Sequence, residues 1–516
     1  MNRVLPAIVA VLALLAIVLA TERLMAANEG VSAQDIEIGA TPATVFRPQA
    51  PRRDAVQRPA VLIAHGFAGS RTLMAPFGVA LARHGYTAVT FDFVGHGEHP
   101  RPMTGDVNSV DGPTRTMVRQ LRQVEAFVSA RIGASGYAVL GHSMASDIIV
   151  RYAADAPAMR ATIAVSMFSP AVTATVPRNL LVIVGNWEGM LKREALRAVG
   201  LATSPEPAEA GTTYGSFADG TARRAVFADR SEHIAVLFSP QSLTAAVEWL
   251  DRTFSIDRTT PIEVSLRLPW IGLLVLGIVA LSYPLARLLP VLAQPAAGAG
   301  LGWRTLWPVI VLPAVVVPLL LQVLPSDFLP IVVADYLAVH FLAYGVLTLA
   351  LAAWARRRAG PRAVPSAFAA SLPLLAAVTL LVTAYVAGAL GVAIETTFTN
   401  YHPVPARYPL FAAMLAGTLV YFLASEWAVR GEGAGPLAPT AEKLGFVLSL
   451  AIAVALDFER LFFLIIIVPV IVIFFVIYGL LSRWSYRSTG HPLPGAVASA
   501  VAFAWGISVT FPMMAG

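Results

Sequence analysis

Tyr137-Ala138-Val139-Leu140-Gly141-His142-Ser143-Met144-Ala145 is the stretch on which the reading of this chain turns. Its first four residues are short and apolar, as a strand buried on both faces of a parallel sheet is. Gly141 to Ala145 reads as the sharp strand-to-helix turn that lifts a serine hydroxyl above such a sheet, with a helix following from Met144. Small residues flank the serine because that turn crowds and strains the backbone. The last position is Ala145, where the G-x-S-x-G pattern has glycine. A pentapeptide of this kind is common by chance, so its weight depends on the partners found elsewhere.

Outward from that turn, residues 31–257 alternate short strands with helical stretches. An opening hairpin is expected at 36–38 and 44–46, followed by a Pro/Arg-rich loop at 48–59. Further strands are expected at 60–64, 87–91, 162–165, 180–184 and 224–227. Helices fall at 74–84, at 114–131 and in a last stretch ending near 251. Strands spaced by helices of this length predict a right-handed, mostly parallel α/β sheet with flanking helices.

His65-Gly66-Phe67-Ala68-Gly69 follows the strand at 60–64, and with it residues 31–257 resemble an α/β-hydrolase domain of the serine esterase and lipase superfamily. The resemblance implies an oxyanion hole made by the backbone N–H groups of Phe67, after His-Gly, and of Met144, after the nucleophile. Asp92-Phe93-Val94-Gly95-His96-Gly97-Glu98 resembles the family's D-x-x-G-x-G segment, a loop-shaping element. His96 and His99 invite a metal reading, but their irregular spacing is weak evidence for one, and no metal or cofactor is expected. Gly185-Asn186-Trp187-Glu188 resembles the family's G-x-x-D, which makes Glu188 the candidate acid. Asp229 is its rival, poorly placed because it lies so close in sequence to the candidate base. That base is His233, in Ser231-Glu232-His233-Ile234, after the last strand and before the last helix. The order Ser143, Glu188, His233 is that of the superfamily.

The composition sets a different context. The chain is 57% hydrophobic and 13% charged, with a mean hydropathy of +0.68, against about 25% charged in soluble proteins. Much of it therefore belongs in lipid. The net charge of +6 is carried almost entirely by arginine, and no basic block is interleaved with aromatics, so the excess reads as topological and not as a nucleic-acid footprint. There is no cysteine, which excludes disulfides, thiolate metal sites and a cysteine nucleophile. No internal repeat is evident.

Three regions result: an N-terminal signal anchor or transmembrane helix at 1–25, the α/β-hydrolase domain at 31–257, and a multi-span domain at 266–516 of about eight helices. The first apolar run, 4–20, reads as an uncleaved anchor or as a cleaved signal peptide; either exports the domain after it. The later apolar segments lie at 269–290, 305–324, 328–354, 366–393, 408–428, 444–457, 460–481 and 492–514. The segment at 444–457 is short and is followed at once by Asp457, Glu459 and Arg460. Counting it as a span puts Arg287, Arg304, Arg356 to Arg358, Arg362, Arg430, Lys443, Arg483 and Arg487 in the cytoplasm, with the amino terminus inside and the hydrolase domain outside. Asp335, His340 and Glu426 are ionisable groups within spans and so candidate functional residues.

The expectation is a membrane-anchored serine hydrolase of the cytoplasmic membrane, acting on the extracytoplasmic side. Its substrate would be an ester, with tethering favouring a lipid-like or otherwise amphiphilic acyl group. The competing reading is a transporter or channel with the hydrolase-like domain as a binding or regulatory module. The lipid bilayer is the expected partner, nucleic acid is not, and oligomeric state is open.

Overall fold

The computed structural model describes residues 4–49, 59–105, 110–132, 136–203, 207–326, 331, 334–359 and 368–515. Most of the Pro/Arg-rich loop 48–59, and Arg362, lie outside the described residues. The chain opens with α1 (Val4–Ala26) and then builds a sheet from β1 (Val31–Ile38), β2 (Thr41–Pro48), β3 (Ala60–Ala64), β4 (Thr87–Phe91), β5 (Tyr137–His142), β6 (Met159–Val165), β7 (Leu180–Gly185) and β8 (Arg223–Ala228). The eight strands run in the order β1-β2-β4-β3-β5-β6-β7-β8. β1 and β2 form the antiparallel opening hairpin, β2 pairs antiparallel with β4, and the rest is parallel.

Five helices cover the sheet: α2 (Ala75–Arg83), α3 (Arg115–Ile132), α4 (Met144–Ala153), α5 (Gly189–Gly200) and α6 (Pro240–Thr253). The two-residue period of β3 separates its faces. Val61 and Ile63 pack with Phe77 and Leu81 of α2 and Trp249 of α6, whereas Leu62 packs with Leu121 of α3 and Ile148 of α4. Both faces are dry, which is why these strands read as continuous apolar runs. Trp249, the largest side chain of that core, donates its indole N–H to Asn179 O at 2.8 Å and so leaves no buried donor unpaired.

Register places the site. Ala64 of β3 pairs with Gly141 of β5, His142 with Val165 of β6, and Gly185 of β7 with Ala228 of β8. The segments that leave these strands therefore emerge together at one edge of the sheet.

Beyond α6 the chain is helical: α7 (Leu268–Ala286), α8 (Trp303–Leu320), α9 (Ala334–Arg358), α10 (Leu372–Thr383), α11 (Leu390–Thr397), α12 (Tyr408–Ala428), α13 (Ala438–Leu456), α14 (Phe458–Thr489) and α15 (Leu493–Thr510). α10 and α11 join through a π-helical turn, Ala384–Ala389, into one apolar run. Among the described residues nine helices are long and apolar enough to cross a membrane, one of them near the amino terminus, and they fit a membrane protein.

α13 starts earlier than the apolar run at 444–457. Glu442 and Lys443 stop a hydropathy reading, yet the helix continues through them because they satisfy each other. Lys443 Nζ lies 2.9 Å from Glu442 Oε2, and Ser425 donates to the same oxygen at 2.7 Å. Other polar groups of these helices are partnered too: Arg430 lies 2.8 Å from Glu426, and the His340 ring meets Ser449 at 3.0 Å. α1 packs on α7 at Gly277, where a Cβ would come 3.1 Å from Ala13 O. Small residues permit this close approach between helices in lipid.

α14 has 32 residues, about 48 Å at 1.5 Å per residue, against a hydrocarbon core of about 30 Å. Its first turns meet the edge of the sheet where β3 and β5 end, and there the Phe463 and Phe67 rings stack at 4.3 Å. The loop from α11 to α12 reaches the same edge. Ser70 bonds Thr399 at 3.0 Å, Thr72 donates to Asn400 at 3.0 Å, and Phe238 stacks on Phe398.

Candidate active site

Ser143 stands between β5 and α4 at φ 53° and ψ −117°. A positive φ on a residue with a Cβ is strained, on the order of 1–3 kcal/mol. The surroundings hold it there: Ser143 N–H donates to Val165 O at 2.8 Å, and Ser146 Oγ donates to Ser143 O at 2.6 Å. Gly66 is required on the other side, because a Cβ there would lie 2.9 Å from Ser143 Cβ and 3.0 Å from His142 Nδ1. Ala145, in place of the expected glycine, is fully buried in the α4 core and accommodates its methyl.

Three side chains from three loops converge. His233 Nε2 lies 2.9 Å from Ser143 Oγ, and His233 Nδ1 lies 2.6 Å from Glu188 Oε1. Glu188 Oε2 accepts from Ser166 Oγ at 2.8 Å and from Gly185 N–H at 2.7 Å, which anchors the carboxylate. With Nδ1–H turned to Glu188, the His233 Nε2 lone pair faces the serine hydroxyl, the polarity that activates it. Asp229, the rival acid, points elsewhere: it is engaged by Gln241 of α6.

Phe67 and Met144 flank the serine, one after β3 and one at the first position of α4. Neither N–H donates to a protein acceptor among the described residues. Two such donors beside a nucleophile can receive a developing oxyanion.

Sequence reasoning missed several supporting groups. Ser166, after β6, buttresses Glu188. His142 is buried and donates from Nε2 to His233 O at 2.9 Å, tying the elbow to the base loop. His65 Nδ1–H donates to Gly66 O at 2.8 Å while its Nε2 accepts from Phe93 N–H at 3.0 Å, tying the Phe67 loop to the loop after β4. The serine-adjacent and Gly-adjacent positions of these histidines were the available signal. In the Asp92 loop, Asp92 is fully buried and accepts from Arg71 N–H, Arg71 Nη1 and Glu98 N–H. Gly97 fits there because a Cβ would press to within 2.4 Å of that carboxylate. His96 packs on the rings of His65 and Phe67, and no cluster of three metal-ligating side chains occurs among the described residues.

The buried imidazoles predict a pH dependence. His65, His96 and His142 are held below the ordinary value, each chiefly by burial. Below about pH 6.5 the unfolded chain takes up protons that the folded chain refuses, so this stability is complete above that pH and declines below it. The decline is up to about 1.4 kcal/mol per pH unit per histidine. Thermal unfolding is expected to shift to lower temperature from about pH 7 to about pH 5. His142→Gln, which keeps a donor for His233 O, should flatten that slope; an unchanged slope would count against a neutral His142.

A mostly parallel sheet with a serine elbow after its fifth strand and an imidazole–carboxylate pair after its last two is the α/β-hydrolase arrangement. The chain carries such a domain: residues 59–219 match the family described as alpha/beta hydrolase fold, which supports a hydrolase. No curated protein matches the chain. Among solved structures it is similar to an epoxide hydrolase of Vigna radiata, at 19% identity and a TM-score of 0.21, over 28% of this chain and 40% of that one. It is similar to TT1662 from Thermus thermophilus at 17% identity and a TM-score of 0.32, over 44% and 99% of the two chains. A dienelactone hydrolase from Anabaena variabilis matches at 15% identity and a TM-score of 0.29, over 44% and 98%. The chain thus spans about 40% of the length of the epoxide hydrolase.

Proposed function

We propose that the protein is a membrane-anchored serine hydrolase that cleaves a carboxylic ester through an acyl-enzyme on Ser143. The observation that carries this reading is the hydrogen-bonded chain Ser143 Oγ, His233, Glu188, at 2.9 and 2.6 Å. Ser143 Oγ attacks the ester carbon while its proton passes to His233 Nε2, and Glu188 stabilises the imidazolium. The oxyanion rests on the Phe67 and Met144 N–H groups. Collapse expels the alcohol, which takes the proton from His233. Water then repeats the sequence and releases the acid; an alcohol in place of water would make the reaction an acyl transfer.

The arginine distribution supports an amino terminus inside and a hydrolase domain on the extracytoplasmic side of the cytoplasmic membrane, with α1 retained as an anchor. The rim of the site supports an amphiphilic or lipid-like acyl substrate. Phe168 and Trp187 on loops, and Met190 in the first turn of α5, lie at the same edge as Ser143 and are 62%, 68% and 65% exposed, and Phe463 of a membrane helix stacks on the oxyanion-loop Phe67. Exposed apolar groups grouped at a mouth mark a surface that meets apolar ligand.

A fluorophosphonate probe should label the purified full-length protein at Ser143, and a screen across acyl lengths should find higher kcat/KM for micellar than for soluble esters. A folded protein that takes no label would overturn the serine mechanism. Equal activity on soluble and micellar esters would overturn the amphiphile assignment alone.

A further inference from the structure

Away from Ser143, the junction between the hydrolase domain and the membrane half buries a guanidinium without a carboxylate. Arg267, just before α7, is 6% exposed. Its Nη1 donates to Asn28 Oδ1 at 2.6 Å, its Nε has no hydrogen-bond partner, and no acidic group lies within ion-pair distance of it among the described residues. Arg83 nearby adds positive charge, and its own donors are taken by Ser265 Oγ and the carbonyls of Ala27 and Glu29. A buried cation left unpaired is costly, so such a site favours an anion from outside the chain.

Arg267 lines a cavity of about 370 Å³ between α1, α7 and α11. The polar lining, Arg267, Asn28 and Thr397, lies at the ends of these helices nearest the hydrolase domain. The deeper lining is apolar at Leu24, Leu274 and Val392, with Thr21 of α1 the one polar group among it, and the cavity continues along α7 as far as Ile278. From Arg267 to Ile278 the helix rises about 16 Å, close to half of a hydrocarbon core of about 30 Å. A charged end at headgroup level above an apolar slot one leaflet deep suits one kind of ligand.

We propose that this cavity binds an anionic phospholipid from the leaflet on the hydrolase side, its phosphate on the Arg267 guanidinium and an acyl chain along Leu24, Leu274 and Val392. The depth of the apolar wall separates a lipid from a free phosphate, which would need only the upper end. None of the lining residues belongs to the Ser143 site, so the binding is independent of the catalytic reading and should persist in Ser143→Ala.

The test is native mass spectrometry and thermal unfolding of the full-length protein in neutral detergent, with phosphatidylglycerol, phosphatidylcholine or inorganic phosphate added. Phosphatidylglycerol should be retained and raise the melting temperature, at least tenfold more tightly than phosphatidylcholine. Arg267→Gln should lose at least tenfold in that affinity, and Arg267→Lys should recover part of it. Val392→Trp, an exposed lining position, should block binding with the arginine intact, which decides the matter if Arg267→Gln does not fold. Equal binding of the two lipids, wild-type affinity in Val392→Trp, or protection by inorganic phosphate alone would overturn the assignment.

Discussion

Ser143→Ala should abolish ester hydrolysis by the purified protein, lowering kcat on the order of 10⁴–10⁶-fold, while the melting temperature stays where it was. The fold is spared because alanine keeps the Cβ, so the strain at φ 53° is the same. Activity is lost because Ser143 Oγ is the hydroxyl facing His233 Nε2. Ser143→Gly separates the two quantities further. Glycine takes positive φ without penalty, so this variant should be as inactive as the alanine variant yet more stable, by about 1 kcal/mol or more. Glu188→Gln should also cost on the order of 10⁴-fold, since an amide cannot hold the imidazole tautomer as a carboxylate does. Turnover near the wild-type level in Ser143→Ala would end the proposed mechanism.

What could be read ahead of the structure was local. A positive φ at a serine, and the absence of room for a Cβ at Gly66 beside Ser143 and His142, demand small residues at fixed offsets, and those demands leave marks in a single sequence. Glu188 could be preferred to Asp229 because Gly185 to Glu188 resembles the family's G-x-x-D and Asp229 lies too close in sequence to His233, and the structure turns Glu188 to His233 and Asp229 to Gln241. The long apolar helices were legible from hydropathy, but the start of α13 was not, because Glu442 and Lys443 look like an end and pair instead. The supporting contacts left no mark at all. Ser166 on Glu188, Phe463 on Phe67 and the Arg267 cavity join residues far apart in the chain, and no periodicity encodes such meetings.

Arg407 is the most consequential of these long-range contacts, and its removal should disable the site from a distance. It precedes α12, is fully buried, and donates to four backbone carbonyls: Gly95 O at 2.9 Å, Gly97 O at 3.2 Å, and Ser508 O and Phe511 O at 2.7 Å each. Beside it the chains pair directly, Met103 N–H on Met513 O and Met513 N–H on Gly95 O, both at 2.8 Å. One guanidinium thus fastens the loop after β4 to the end of α15. That loop carries His96, whose ring packs 6.0 Å from Phe67 and 5.2 Å from His65, the residues of the oxyanion segment. Arg407→Ala takes the donor from Gly97 O, Ser508 O and Phe511 O, while Gly95 O keeps Met513 N–H; at about 1–3 kcal/mol for each of the three, a loss of at least about 3 kcal/mol in stability is expected. With the Phe67 loop loosened but its N–H retained, kcat should fall about one to two orders of magnitude, below the roughly 10²–10³-fold cost of losing one oxyanion donor outright, with KM changing by less than about threefold. Arg407→Lys should recover only part of this, because an ammonium has three donors and no planar fork. Steady-state kinetics on folded protein decide it: a wild-type kcat in Arg407→Ala would mean that the membrane half holds the hydrolase domain without shaping its catalytic loops.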